Sequence, residues 1–387
     1  MSDWTDLIQA ATTHDPLSGA INTPIQLSST FHQASFETFG HFDYARSGNP
    51  TREAGEAAIA KLEHGTQGFL FSTGMAAISS VLFTLSAGDH LVVSKHVYGG
   101  TFRVLEDILP RWGITHTFVD FSDVAAVAAV ITPATKALYI ETPSNPVLQI
   151  TDIAAIVALA KQHQVLTIAD NTFMSPFFQK PLDLGVDIVV HSATKFLAGH
   201  SDILAGAVVV KDQQLAERIY FIQNAVGATL GVLDTWLLLR GIKTLGVRLA
   251  QSSQSALAIA QHLAQHPKVT RVLYPGLATH PGHAIHAKQA TSGGAVLSFD
   301  VGSQANAKKV VAALKIPVFS VSLGAVESIV SYPPKMSHAE LDEAGLAASG
   351  ITPGLLRFSV GLEDVADLIA DLDHALAQIE SARGEKR

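Results

Sequence analysis

From about residue 66 to residue 210, short β-branched runs alternate with helical stretches, and no other feature constrains the fold as strongly. The runs fall at 68–72, 90–94, 137–141, 166–170, 187–191 and 206–210, with helical patterns at 74–85, 101–109 and 153–163. Such alternation predicts βαβ units around a mostly parallel sheet, because parallel neighbours need a crossover between them. In that architecture ligands sit beyond the carboxyl ends of the strands. The residues that follow each run are therefore the candidates for function.

The flanking regions read differently. Residues 1–50 have weak periodicity and many turn formers, as expected of an extended arm. A helix is expected after Asn49-Pro50, with Thr51 as its cap and Ala57, Ala58, Ile59 and Leu62 on its apolar face. A long helical stretch over 233–266 leads to a smaller α/β region with strands at 294–299 and 356–360, and the charged tail 381–387 reads as frayed. At about 100–200 residues per domain, a chain of 387 residues divides into about two or three units.

Composition narrows the chemistry. There is no cysteine, which excludes a disulfide framework, a thiolate metal site and a cysteine nucleophile. The net charge of −8 argues against nucleic acid, whose binding rests on neutralising phosphates. The apolar runs, such as 124–131, are too short to span a bilayer. The acids of Asp3 and Asp6 and the lack of a long apolar core are not those of a signal peptide, so a soluble, cytoplasmic protein is expected. There is no Walker A loop, no G-x-G-x-x-G after a strand, no G-x-S-x-G elbow and no H-E-x-x-H. His280, His283 and His286 flank Pro281-Gly282 with no carboxylate close in sequence, and read as a polar surface loop rather than a metal site.

The run ends carry the signal. The first is followed by Ser72-Thr73-Gly74-Met75, small residues opening a helix whose exposed N–H groups suit an anion. The second is followed by Tyr98-Gly99-Gly100-Thr101, and the third leads into Thr142-Pro143-Ser144-Asn145-Pro146, which sets an asparagine in a turn. The fourth ends at Asp170, and the fifth leads to Ser192-Ala193-Thr194-Lys195. A phosphate cup, a stacking aromatic, an acid and a lysine, one per strand, are what pyridoxal phosphate needs.

These segments also resemble a family. Tyr44-x-Arg46-Ser47-Gly48-Asn49-Pro50-Thr51-Arg52, Ser72-Thr73-Gly74-Met75-Ala76-Ala77, Tyr98-Gly99-Gly100-Thr101, Glu141-Thr142-Pro143-Ser144-Asn145-Pro146, Asp170-Asn171-Thr172 and His191-Ser192-Ala193-Thr194-Lys195 are similar to the Cys/Met-metabolism enzymes. The likeness continues through Val326-Glu327-Ser328 and the stretch 356–364, and covers about residues 14–378. It implies an α/β chain of the fold-type I pyridoxal-phosphate class, with a mostly parallel sheet and a smaller C-terminal α/β domain. The expected division is an arm at 1–50, a cofactor domain at 51–240 and a C-terminal domain at 241–387.

By the same resemblance, Lys195 holds pyridoxal 5′-phosphate as a Schiff base and Asp170 pairs with the ring nitrogen. Tyr98 stacks on the ring, and Asn145 bonds the ring hydroxyl or the substrate carboxylate. The Gly74 and Met75 amides hold the phosphate with Ser192 and Thr194, while Tyr44 and Arg46 reach the phosphate of a neighbouring subunit in a homotetramer. Arg357, with Ser328, clamps the substrate α-carboxylate, and Glu327 is a further substrate-binding residue. The implied reaction is β-elimination of L-cystathionine to homocysteine, pyruvate and ammonia, with Lys195 moving the Cα proton and Tyr98 or Lys195 protonating the leaving group. A γ-lyase, a γ-synthase or O-acetylhomoserine sulfhydrylase, and a silent regulatory relative are the alternatives. Gly100, where methionine γ-lyases have a cysteine, disfavours that activity; the run 320–329 resembles bacterial cystathionine lyases, with Ala325 in place of a common glycine, and Gln26 replaces a common tyrosine.

Overall fold

The computed structural model describes residues 2–12, 15 and 17–380, so the expected tail at 381–387 lies outside the described residues. Seven strands form the first sheet: β1 (Gln67–Phe71), β2 (His90–Ser94), β3 (Thr115–Val119), β4 (Thr135–Glu141), β5 (Leu166–Asp170), β6 (Ile188–Ser192) and β7 (Gly206–Val210). Their order is β1-β7-β6-β5-β4-β2-β3, and every pairing from β3 through β6 is parallel. Only β7, which pairs antiparallel with both β6 and β1, breaks the pattern. The sheet is the mostly parallel one that the alternation predicts.

Period-two alternation sends successive residues to opposite faces. Ile168 and Val190 thus join a core formed with Ile78, Val81 and Ile219, while Ala169 and Val189 join another formed with Ile59, Leu138 and Ile156. Helices cover both faces, so strands such as β7, Gly-Ala-Val-Val-Val, are apolar throughout.

A second, five-stranded sheet, ordered β10-β11-β12-β9-β8, is built from β8 (Arg271–Leu273), β9 (Val296–Asp300), β10 (Val318–Phe319), β11 (Ile329–Ser331) and β12 (Leu355–Ser359). The helix Leu245–Gln265 joins the two halves: Leu245 and Leu249 sit in the core of the first sheet, and Ile259 and Leu263 in that of the second. No helix among the described residues is long and apolar enough to cross a membrane.

Several local expectations need correction. The arm begins with a helix, α1 (Asp3–Ala10), whose Leu7 is buried in the core. In α2 (Pro50–Leu62) the cap is Asn49, not Thr51: its side chain accepts from the amides of Thr51 and Arg52, with Pro50 at the first helical position. The stretch 233–266 is two helices, Val232–Ile242 and Leu245–Gln265, parted at Lys243-Thr244. The pattern at 101–109 is a short helix, α-helical over Gly99–Arg103 and then wound more loosely over Val104–Ile108. Strand β3 has no counterpart in the expected runs. It is an edge strand, half-exposed, and its Thr-His-Thr-Phe-Val lacks a buried run's apolar character. The histidine trio is not a surface loop. His280 and His286 are buried, His283 and His286 bond the carbonyls of Pro275 and Ser292, and no metal-holding cluster occurs among the described residues.

Candidate active site

The carboxyl ends of β4, β5 and β6 and the start of the helix Gly74–Leu82 (α3) open onto a cavity of about 420 Å³, closed on the far side by β11, β12 and the segment 321–323. Thr73 caps α3 by accepting from the Ala76 amide at 2.9 Å. The first amides of a helix have no intrahelical acceptor, which leaves Gly74 and Met75 facing the cavity with N–H groups to give. A Cβ on Gly74 would lie 2.8 Å from that of Ser192, so glycine lets this helix start abut β6.

Lys195 follows β6 in a tight turn, and its Nζ donates to Ser322 Oγ at 2.7 Å. Burial, and then the nearby Arg357 charge, lower its pKa to about 8. Gly324, at φ +81°, turns the 320–324 segment onto the Lys195–Phe196 backbone, where a Cβ would come within 2.7 Å of the Phe196 nitrogen. Thr194 lines the same wall, with its hydroxyl exchanging hydrogen bonds with the Ala205 backbone.

Asp170 is buried at the tip of β5 and accepts from the Thr172 amide at 3.0 Å. Its register neighbour on β4 is Glu141, which accepts from the Tyr98 amide at 2.8 Å. Burial raises both carboxyls, and Glu141, where the Asp170 charge adds to burial, is pushed well above the usual carboxylate range. Asp170 stands at the cavity wall. Tyr98 lies beside it, half-exposed.

Arg357 closes the opposite side from β12. Its Nη1 donates to Asn145 Oδ1 at 2.9 Å, and its Nη2 to Ser331 Oγ at 2.9 Å and the Ser322 carbonyl at 2.5 Å. All these partners are neutral. No carboxylate pairs with this guanidinium among the described residues, its Nε has no partner, and burial lowers its pKa to about 10.

Of the expected site residues, Gly74, Met75, Tyr98, Asn145, Asp170, Ser192, Thr194, Lys195 and Arg357 line this one cavity. Ser328 and Glu327 do not. Ser328 Oγ donates to Glu363 at 2.7 Å and accepts from the Gly361 amide, while Glu327 is exposed. The reason is register: β11 starts at Ile329, and it is Ser331 that stands opposite Arg357. Tyr44 and Arg46 lie away from this chain's cavity, with Arg46 bonded to the Asn224 carbonyl and packed over the Tyr44 ring. Ser322 and Ser331 were missed, having no local motif to mark them.

The donor set fits pyridoxal 5′-phosphate: an amine of lowered pKa, a buried carboxylate, free helix-start amides beside Ser192, and a cradle that a Cβ at Gly74 would fill. The family model for Cys/Met metabolism PLP-dependent enzymes matches residues 4–377. The chain belongs to this family. It is therefore a pyridoxal-phosphate-dependent enzyme acting on an amino acid. Among members of the family, it is 56% identical over 382 residues to "Cystathionine beta-lyase MetC" of Bacillus subtilis, covering 97% of each chain. It is 46% identical to the cystathionine gamma-lyase of the same organism, covering 98% of this chain and 100% of that one. A solved cystathionine gamma-lyase from Lactobacillus plantarum, complexed with L-serine, superposes with a TM-score of 0.96 at 46% identity, covering 98% of this chain and 99% of that one.

Proposed function

We propose that the chain is a carbon–sulfur lyase that cleaves L-cystathionine by β-elimination to homocysteine, pyruvate and ammonia. One observation carries this reading: across a single cavity, a lysine amine faces a buried arginine that has no carboxylate partner among the described residues. An amine able to move a Cα proton is opposed by a cation suited to an α-carboxylate. The preference for β- over γ-elimination rests on the 56% identity to a β-lyase against 46% to a γ-lyase.

When bound, pyridoxal 5′-phosphate supplies the electron sink that makes a Cα proton acidic. Lys195 would hold it covalently, Asp170 would face its ring nitrogen, and Tyr98 would cover the ring. Its phosphate would take the Gly74 and Met75 amides with Ser192 and Thr194. Arg357 binds the substrate α-carboxylate, its fork held in place by Asn145 and Ser331. Lys195 Nζ, steadied by Ser322 at 2.7 Å, accepts the Cα proton as a neutral amine. Tyr98 and Lys195 are the groups placed to protonate the thiolate leaving Cβ.

The Lys195 pKa predicts a pH dependence. Only the neutral amine attacks an aldehyde, so the cofactor-free protein should take up pyridoxal phosphate at a rate that rises about tenfold per pH unit and levels off above about pH 8. An ordinary lysine would still be climbing at pH 10. Stopped-flow absorbance of cofactor binding across pH 6 to about 10 reads this directly.

The reading extends to assembly: an arm at 1–50 that offers Tyr44 and Arg46 to a neighbour's phosphate, a cofactor domain at 51–240, a C-terminal domain at 241–387, and a cytoplasmic homotetramer. The deciding experiment supplies L-cystathionine to the purified enzyme and identifies the products. Pyruvate with homocysteine is expected. Release of 2-oxobutyrate with cysteine would make the chain a γ-lyase, and activity only with an activated homoserine ester and a thiol would make it a synthase; either overturns β-elimination.

A further inference from the structure

Behind the cavity wall, on the opposite face of the sheet from Asp170, the mechanism leaves a buried acid unused. Glu63, just past the end of α2, is fully buried. Its Oε1 lies 2.6 Å from His191 Nε2 and accepts from Asn171 Nδ2 at 2.8 Å, while its Oε2 has no partner among the described residues. No lysine or arginine pairs with it among the described residues. A carboxylate taken out of water needs a countercharge or a proton, and His191, itself 1% exposed, is the partner that can supply one.

The two residues that Glu63 holds are the neighbours of the cavity residues. Asn171 directly follows Asp170, and His191 directly precedes Ser192. Asn171 and Gln179 bond each other through Asn171 Nδ2 to the Gln179 carbonyl at 2.8 Å and Gln179 Nε2 to Asn171 Oδ1 at 3.0 Å. Gln179 Nε2 also reaches the Thr142 carbonyl at 3.3 Å. One cluster therefore ties the tips of β4, β5 and β6, all three of which carry cavity residues.

We propose that Glu63 and His191 form a buried ion pair whose task is to position and charge Asp170: Glu63 holds the imidazole protonated, and the imidazolium keeps Asp170 anionic and fixed at the cavity wall. Burial pushes the Asp170 carboxyl up; the Thr172 hydrogen bonds, and after them the His191 charge, pull it back down. The other ionisable groups beside Asp170 are Glu141 and Tyr139 of β4, a carboxyl and a phenol that can carry no positive charge, so neither supplies that countercharge. The charges then run negative, positive, negative from Glu63 to Asp170, and a protonated ring nitrogen in the cavity completes the alternation.

This rests on the assignment of Asp170 to the ring nitrogen, and the test separates the two. In the wild-type holoenzyme, nitrogen-15 NMR of labelled histidine, assigned by loss of the signal in His191→Gln, should find both His191 ring nitrogens protonated at pH 8. A neutral ring would overturn the proposal, whatever the variants do. Glu63→Gln keeps the hydrogen-bonding shape and removes the charge. It should lower kcat about tenfold and weaken cofactor binding about tenfold by equilibrium dialysis, as a one-unit change in Asp170 acidity requires, with KM within about twofold. Glu63→Asp should restore most of both. A Glu63→Gln enzyme that melts earlier but keeps wild-type kcat and cofactor affinity reduces the cluster to a structural clamp and defeats the proposal. If Asp170→Asn also leaves cofactor affinity untouched, the ring-nitrogen assignment itself fails; if only Asp170→Asn weakens it, the failure is confined to Glu63 and His191.

Discussion

Lys195→Ala should purify without the yellow colour of the wild type, and its kcat/KM on cystathionine should fall at least about 10⁴-fold. Lys195 carries the one amine among the residues that line the cavity, so no neighbour can take over either the covalent hold or the proton transfer. The change is small for the fold. It removes a single hydrogen bond, to Ser322 Oγ, worth about 1 kcal/mol. The Lys195 turn keeps its backbone bonds from the Gly199 amide and to the Ser192 carbonyl. Circular dichroism of the variant should therefore match the wild type while its absorption spectrum loses the cofactor band. A yellow Lys195→Ala protein, or one with more than about 1% of wild-type turnover, would remove the lysine from the role given to it here.

Much of this was legible in the sequence, and the reason is local. β2, β5, β7 and the helix Ile153–His163 occupy the expected residues because each is a buried apolar segment bounded by turn formers or caps, so pattern and burial agree. Asp170 and Lys195 were legible for a related reason: strand tips on one rim must converge, and chain order alone brings them together. What failed was whatever depends on pairing at long range. β3 sits at an edge, half-exposed, where selection for apolar residues is weak. The contact between Lys195 and Ser322 spans 127 positions, and nothing near Ser322 announces a lysine. The assignment of Ser328 and Glu327 to the site failed by register. Within the run 320–329 no periodicity says which residues face inward, and only the pairing of β11 with β12 sets Ser331 against Arg357. Arg357 itself was reached through family resemblance alone, because a strand arginine in a sequence reads as a surface charge, whereas here it is 3% exposed.

That burial is what gives Arg357→Ala its large expected effect. A guanidinium out of water, bonded among the described residues only to the neutral oxygens of Asn145, Ser322 and Ser331, lacks there the countercharge that buried cations ordinarily have. An amino-acid α-carboxylate entering the cavity supplies that charge, and a planar fork receives it in two parallel bonds. Removing one partner of a buried, hydrogen-bonded charge pair costs about 2–5 kcal/mol, so kcat/KM should fall about 10²- to 10³-fold, with most of the loss in KM. Colour should persist, because Lys195, Asp170 and the α3 amides lie on other elements. Arg357→Lys separates charge from geometry: it keeps the cation but loses the fork, and should recover only part of the loss. The truncation also frees Asn145 Oδ1 and Ser331 Oγ, a stability cost of about 1–3 kcal/mol that thermal melting will register. Stability and binding are separable, since a protein merely weakened loses active molecules and so lowers apparent kcat, whereas a lost carboxylate contact raises KM. An Arg357→Ala enzyme with wild-type KM would mean that the substrate carboxylate is held elsewhere.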